Sequence, residues 1–163
     1  MIMAMKKTVV IRLLEGKKVV HQICEYPTGI TDATEVAHRL GVPPDQVFKT
    51  LVAYEQPEKK FLVMIPANKQ LDLKKLAKVV GVKKMKMATH KEAEAFTGLQ
   101  VGGISALALL NRGFKMLLAQ EASGFDAVFI SAAERGINVK IGVNDLLKLT
   151  SARLVDVAAE HEA

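Results

Sequence analysis

The chain has 163 residues, with 50% hydrophobic, 25% charged and 5% aromatic residues. That composition allows one domain with a real core and excludes a chain disordered by composition or a charged coiled coil. Twenty-three Lys and Arg against 17 Asp and Glu give a formal charge of +6, which suits a polyanionic partner.

Residues Lys6 to Glu15 place Val9, Val10, Leu13 and Leu14 at helical spacing, with Gly16 positioned to end the helix. Val19 to Tyr26 reads as a strand. Asp32-Ala-Thr-Glu35 has the form of a capping box, opening a helix that carries Val36, Ala37 and Leu40. Val47–Glu55 and Phe61–Ala67 flank Gln56-Pro57-Glu58-Lys59, the pattern of a hairpin with a polar turn. A helix from about Asp72 to Gly81 aligns Leu73, Leu76, Ala77 and Val80.

Lys84-Met85-Lys86-Met87 alternates charge and thioether, the mark of a half-buried strand. Thr89-His-Lys-Glu92 is a second capping box, and Gly98 closes its helix. Phe114–Gln120, Ala127–Ser131 and Val139–Ile141 read as strands, Asn144 as the cap of a last short helix, and Glu160 to Ala163 as a frayed end. The elements sum to an α+β fold with a mixed, curved central β-sheet flanked by helices, in a single domain over 1–163.

The longest apolar runs, such as Phe61–Ala67, fall well below the roughly 18 residues of a membrane span. With no secretory signal and Cys24 as the single cysteine, the sequence points to a cytoplasmic protein without membrane association. Six Phe, two Tyr and no Trp argue against a stacking platform for long single strands.

The common catalytic motifs are absent. His21 and Cys24 form a lone H-x-x-C without a second ligand pair, so no metal site is expected. No phosphate-binding loop and no G-x-G-x-x-G after a strand occurs. Two features remain. Lys49 stands among Val47, Phe48, Leu51 and Val52, where an ammonium must snorkel to water or meet an anion. Gly102-Gly103-Ile104-Ser105 precedes an apolar stretch; paired glycines there form a tight turn or a loop whose amides hold an anion or a developing oxyanion.

Taken in order, four blocks resemble the YbaK/EbsC family, which comprises Cys-tRNA(Pro) deacylases and is related to the editing domain of bacterial prolyl-tRNA synthetases. They are Pro44-Asp45-Gln46-Val47-Phe48-Lys49-Thr50-Leu51, Gln70 through Lys78, Gly98 through Ser105, and Ser131-Ala-Ala-Glu-Arg135-Gly136. The resemblance implies a single-domain enzyme that acts in trans on the ester of a mischarged tRNA, a hydrolase or lyase with Cys-tRNA(Pro) as the best substrate. It implies no cofactor, and it names mischarged tRNA as partner with prolyl-tRNA synthetase as a further one.

By the same resemblance, Lys49 is the essential lysine. Gly102, Gly103, Ile104 and Ser105 form the loop holding the terminal adenosine and aminoacyl carbonyl. Tyr26 is a pocket tyrosine, and Ser131, Arg135 and Gly136 belong to a second pocket wall. In such enzymes the substrate's own thiol is proposed to attack the ester, so no protein nucleophile is required.

The chain departs from the family pattern in places. Ala106 replaces a proline that usually ends the loop, Ala132 and Ala133 replace glycines, and Asn138 replaces an aspartate. The stretch from Tyr26 to Glu35 is about three residues short, and Asp32 lies nearest to an expected pocket phenylalanine. These changes keep open a deacylase for alanine, serine or another amino acid, and a non-catalytic tRNA-binding module. Lys69, Lys74, Lys75, Lys78, Lys83, Lys84 and Lys86 form a basic run that is either a solvated face or a phosphate-contacting one.

Overall fold

Thr8 opens the first helix by accepting the Ile11 amide at 3.2 Å. The computed structural model describes residues 7–161, so the expected helical start at Lys6 and the terminal Glu162 and Ala163 lie outside the described residues. Helix α1 (Val9–Gly16) buries Val10, Ile11 and Leu14, whereas Val9 is 62% exposed. The apolar stripe is therefore turned from the expected one, because Ile11 and Leu14 share a face with Val10 at three- and four-residue spacing. Gly16 is the last helical residue rather than its cap, and Lys18 takes the positive φ of 57° that reverses the chain.

The chain continues with β1 (His21–Glu25), α2 (Ala33–Leu40), β2 (Phe48–Gln56), β3 (Lys59–Pro66), β4 (Lys69–Leu71), α3 (Leu73–Val80), β5 (Lys86–Met87) and α4 (His90–Thr97). It ends with β6 (Phe114–Ala119), β7 (Ala127–Glu134), β8 (Ile137–Gly142), α5 (Val143–Thr150), β9 (Arg153–Val155) and β10 (Ala158–Glu160). A mixed sheet runs β5-β2-β3-β6-β9, a second sheet runs β1-β8-β7, and β10 pairs with β4. The β2–β3 hairpin is antiparallel, whereas β6 joins β3 in parallel and β9 joins β6 in parallel. Parallel pairing needs crossovers, which α3 and α4 supply before β6 and α5 before β9. Phe61 to Pro66 is buried without interruption, as a strand covered on both faces requires.

Several local expectations change. Asp32 precedes α2, but its carboxylate makes no capping bond, so the first capping box is not formed. Asp72 does cap α3, accepting the amides of Lys74 and Lys75 at 3.0 Å each. Thr89 and Glu92 close both halves of the second capping box. Asn144 lies inside α5, whose cap is Gly142. There β8 runs directly into the helix, and the Asp126 carbonyl already accepts the Val143 amide at 2.9 Å.

Only Lys86 and Met87 of the alternating segment pair as a strand, against Tyr54 and Ala53. Met85 is buried while Met87 is 39% exposed. Glu160 is not frayed: it ends β10 opposite Lys69 and forms an ion pair with it. Strands of two or three residues carry no readable period, so β4, β5, β9 and β10 are set by pairing partners rather than by their own pattern.

Candidate active site

Where β2 enters the mixed sheet, Phe48 and Val52 turn into the core, and Lys49, Thr50 and Leu51 are half-buried along one cavity. Ala67 follows β3 and folds back, donating its amide to Val47 O at 2.7 Å. Its carbonyl accepts Lys49 Nζ at 3.2 Å and the Thr34 hydroxyl at 3.3 Å. One main-chain oxygen thus fixes the lysine head and the first turn of α2 together. Partial burial pushes the Lys49 ammonium below the ordinary lysine value, and the Asp32 carboxylate opposes that shift.

The glycine loop forms the facing wall. The Glu94 carboxylate accepts the Val101 amide at 2.9 Å, and Val101 O accepts Arg135 Nε at 2.7 Å. Gly102 has φ +92°, and an added Cβ would come within 3.0 Å of Thr31 Cγ2. A Cβ on Gly103 would stand 3.1 Å from the Arg135 nitrogen and 3.2 Å from Glu134 backbone. The glycines therefore serve close approach of three backbone segments. The Gly103 amide is used inside the loop, donating to Gln100 O at 2.8 Å. Those of Gly102 and Ile104 donate to no acceptor among the described residues.

The three-stranded sheet supplies the third wall. Tyr26 follows β1, donates its amide to Gly136 O at 2.9 Å, and reaches Asn138 Oδ1 through its hydroxyl at 3.4 Å. Burial raises the tyrosine pKa. Ser131 stands opposite Asn138 in the β7–β8 register. Its hydroxyl accepts the Ala133 amide at 3.2 Å within a bulge in which Ala133 takes φ 75°.

Lys49, Tyr26, Gly102, Ile104 and Ser131 thus meet around one cavity of about 390 Å³, together with Asn138. The other expected site residues stand behind its walls. Arg135 holds the Val101 carbonyl, and Gly103 seats the loop on the β7–β8 turn. Gly136 leaves room for Thr28, whose methyl would lie 2.8 Å from an added Cβ. Ser105 is only 1% exposed, and its hydroxyl has no hydrogen-bond partner among the described residues.

The cavity also contains Met87 and His90, which the sequence did not single out, and Asp32, which it placed only as the residue nearest an expected pocket phenylalanine. Asp32 and His90 both fall in helix-capping patterns, so their side chains read as local devices. Met87 reads as half of an alternating strand. His21 Nδ1 meets Val19 O at 2.8 Å, Cys24 is half-buried, and no cluster of potential metal ligands occurs among the described residues.

Within the lysine run Lys74 and Lys78 are exposed on α3, and the other five divide in two. Lys69 is paired with Glu160, and Lys75 is 3.1 Å from Asp156. Lys83, Lys84 and Lys86 are exposed and lead into Met87 at the cavity wall.

The aminoacyl-tRNA editing domain model matches residues 28–149. EbsC of Enterococcus faecalis, provisionally named a Cys-tRNA(Pro)/Cys-tRNA(Cys) deacylase, is 34% identical over 158 residues, 96% of each chain. The proline–tRNA ligase of Nitratidesulfovibrio vulgaris is 31% identical over 114 residues, 69% of this chain but 19% of the ligase. Among solved structures, a hypothetical protein superimposes with a TM-score of 0.84 at 21% identity, covering 92% of this chain and 99% of that one. A provisionally named trans-editing enzyme for prolyl-tRNA synthetase gives 0.75 at 24% identity, covering 87% of each chain. The fold, the near full-length match to EbsC and the domain model together make this chain a member of the aminoacyl-tRNA editing domain family.

Proposed function

We propose that this editing-domain protein hydrolyses the ester of mischarged tRNA in trans, with Cys-tRNA(Pro) as its substrate, and that the aminoacyl end enters the cavity beside Lys49. The observation that carries the reading is Lys49 itself: a half-buried ammonium fixed on Ala67 O and facing a cavity walled by the Gly102 loop. An ammonium and main-chain amides directed at an ester carbonyl stabilise the negative charge that develops on its oxygen.

No serine, threonine or cysteine hydroxyl or thiol is hydrogen-bonded to a histidine among the described residues. In the proposed reaction the substrate cysteine sulfur bonds to its own ester carbonyl carbon. The bond from that carbon to the ribose oxygen breaks, and the thiol proton passes to the oxygen. The products are deacylated tRNA and a thiolactone, which water then opens to cysteine to complete the net hydrolysis. Holding the thiol and carbonyl in one enclosed conformer supplies acceleration without a protein nucleophile.

The exposed Lys83, Lys84 and Lys86, which precede Met87 of the cavity wall, support binding of the acceptor end through its phosphates. The substrates for which EbsC is named and the likeness to prolyl-tRNA ligases favour tRNA(Pro) and a functional association with prolyl-tRNA synthetase.

The test compares Cys-tRNA(Pro), its S-methylated form and tRNA mischarged with alanine or serine, each with wild type and Lys49→Ala. The reading expects cleavage of Cys-tRNA(Pro) only, abolished by S-methylation and by Lys49→Ala. Cleavage of S-methylated substrate would replace the thiol by a positioned water. Binding of charged tRNA without any turnover would make the protein a sequestering module.

A further inference from the structure

We propose that Asp32 determines specificity in this cavity by receiving the α-ammonium of the aminoacyl group while Lys49 faces the ester carbonyl. This inference rests on the deacylase reading of the cavity and adds the chemical class that the site accepts: aminoacyl esters with a free α-amine, not N-blocked or peptidyl esters.

Two contacts bracket Asp32. Its neighbour Thr31 lies against Gly102, where an added Cβ would meet the threonine side chain at 3.0 Å. Two residues further on, the Thr34 hydroxyl shares the Ala67 carbonyl with Lys49. The chain thus holds Asp32 between the glycine loop and the lysine, on the wall of the cavity.

Among the described residues the exposed Asp32 side chain makes no hydrogen bond. Asp72, in the equivalent position before α3, bonds two helix amides, whereas Asp32 bonds none before α2. It also forms no ion pair with Lys49, although its charge acts on that ammonium. A carboxylate and an ammonium kept apart on one cavity are the counterpart of an aminoacyl ester, whose cationic nitrogen stands two bonds from the carbonyl carbon. Acylation of that nitrogen removes its charge and with it the attraction to the exposed Asp32 carboxylate, leaving the rest of the binding unaltered.

The probe is 3′-cysteinylamino-3′-deoxyadenosine, a stable amide of the tRNA terminus, compared with its N-acetyl form by calorimetry against wild type and Asp32→Asn. We expect wild type to prefer the free amine by about 10- to 100-fold. Asp32→Asn should lose that preference, with affinity for the acetylated form unchanged within about twofold. Its melting temperature should stay close to that of wild type, because Asn is as good a cap as Asp and no native bond is lost.

Equal losses for both probes, an unchanged preference, or no binding of either probe to wild type would each overturn the proposal. The deacylase reading is judged separately by turnover. Asp32-dependent amine preference without ester hydrolysis refutes that reading and keeps this one. Hydrolysis with an amine preference unaffected by Asp32→Asn does the reverse.

Discussion

Replacing Lys49 by methionine separates the lysine's part in the cavity from its part in the fold. Methionine keeps the unbranched stem along β2 and removes the ammonium. The lost native bond is Nζ to Ala67 O, a contact to a charged donor that contributes about 1.5–3 kcal/mol when its acceptor is left alone. Here the acceptor keeps the Thr34 hydroxyl at 3.3 Å, so no orphaned carbonyl results. Removing a charge from a half-buried position gives back part of its desolvation cost. The two effects oppose, and the net change at pH 7 should lie within about 1 kcal/mol, or about 2–4 °C in Tm for a chain of this size.

The pH dependence has a definite sign. Burial lowers the folded-state pKa of Lys49 below its unfolded value of 10.5, so the unfolded chain binds more protons between those two values. Wild-type stability therefore gains with rising pH across that window, and the gain disappears in Lys49→Met. Thermal unfolding from pH 7 to 10.5, with deacylation measured in parallel, gives both answers. The account expects small stability changes and a loss of activity of about 100-fold or more. Near wild-type activity in the folded variant would refute the role of the ammonium, and a Tm loss above about 8 °C would make Lys49 a structural residue.

Gly103→Ala should destabilise by about 1–3 kcal/mol, because the new methyl meets backbone of Glu134 and Arg135 at 3.1–3.2 Å; chemical denaturation checks this, and an unchanged midpoint would mean that the loop moves freely. Ala106→Pro should raise stability by about 0.4–1 kcal/mol. Ser105 already has φ −135° and ψ 130°, the conformation favoured before proline, and Ala106 is the first residue of a 3-10 turn; a lower Tm would show that the ring overfills this buried position. Charge reversal of Lys83, Lys84 and Lys86 together should flatten the dependence of log tRNA affinity on log salt by about two units or more. The same reversal at Lys69 and Lys75, which are paired with Glu160 and Asp156, should change the slope less.

Local patterns read well from the sequence where a residue acts on its own neighbours. Asp72 caps α3 and Thr89 with Glu92 caps α4 because each needs only partners within three residues. The hairpin around Gln56 to Lys59 is legible for the same reason. Asp32 shows the limit: its Asp-x-x-Glu pattern reads as a capping box, yet its carboxylate makes no capping bond and lies at the cavity, between contacts at Gly102 and Ala67 that no local pattern encodes.

The glycine loop is legible as a tight, ligand-facing feature, but the reason for Gly103 is a backbone contact more than thirty residues away. Arg135 and Gly136 likewise belong with the site through the Val101 carbonyl and the Tyr26–Thr28 turn, contacts that no spacing encodes. The three-residue strands β4, β9 and β10 are too short to carry a period and exist through their partners.

The central claim is that this cavity takes the acyl end of a mischarged tRNA and spares the correctly charged one. Its most direct measurement is the deacylation rate of Cys-tRNA(Pro) and Pro-tRNA(Pro) with catalytic amounts of the protein. The account predicts multiple turnovers on Cys-tRNA(Pro) and a rate indistinguishable from spontaneous hydrolysis on Pro-tRNA(Pro). Spontaneous rates on both, or equal acceleration of both, would contradict it.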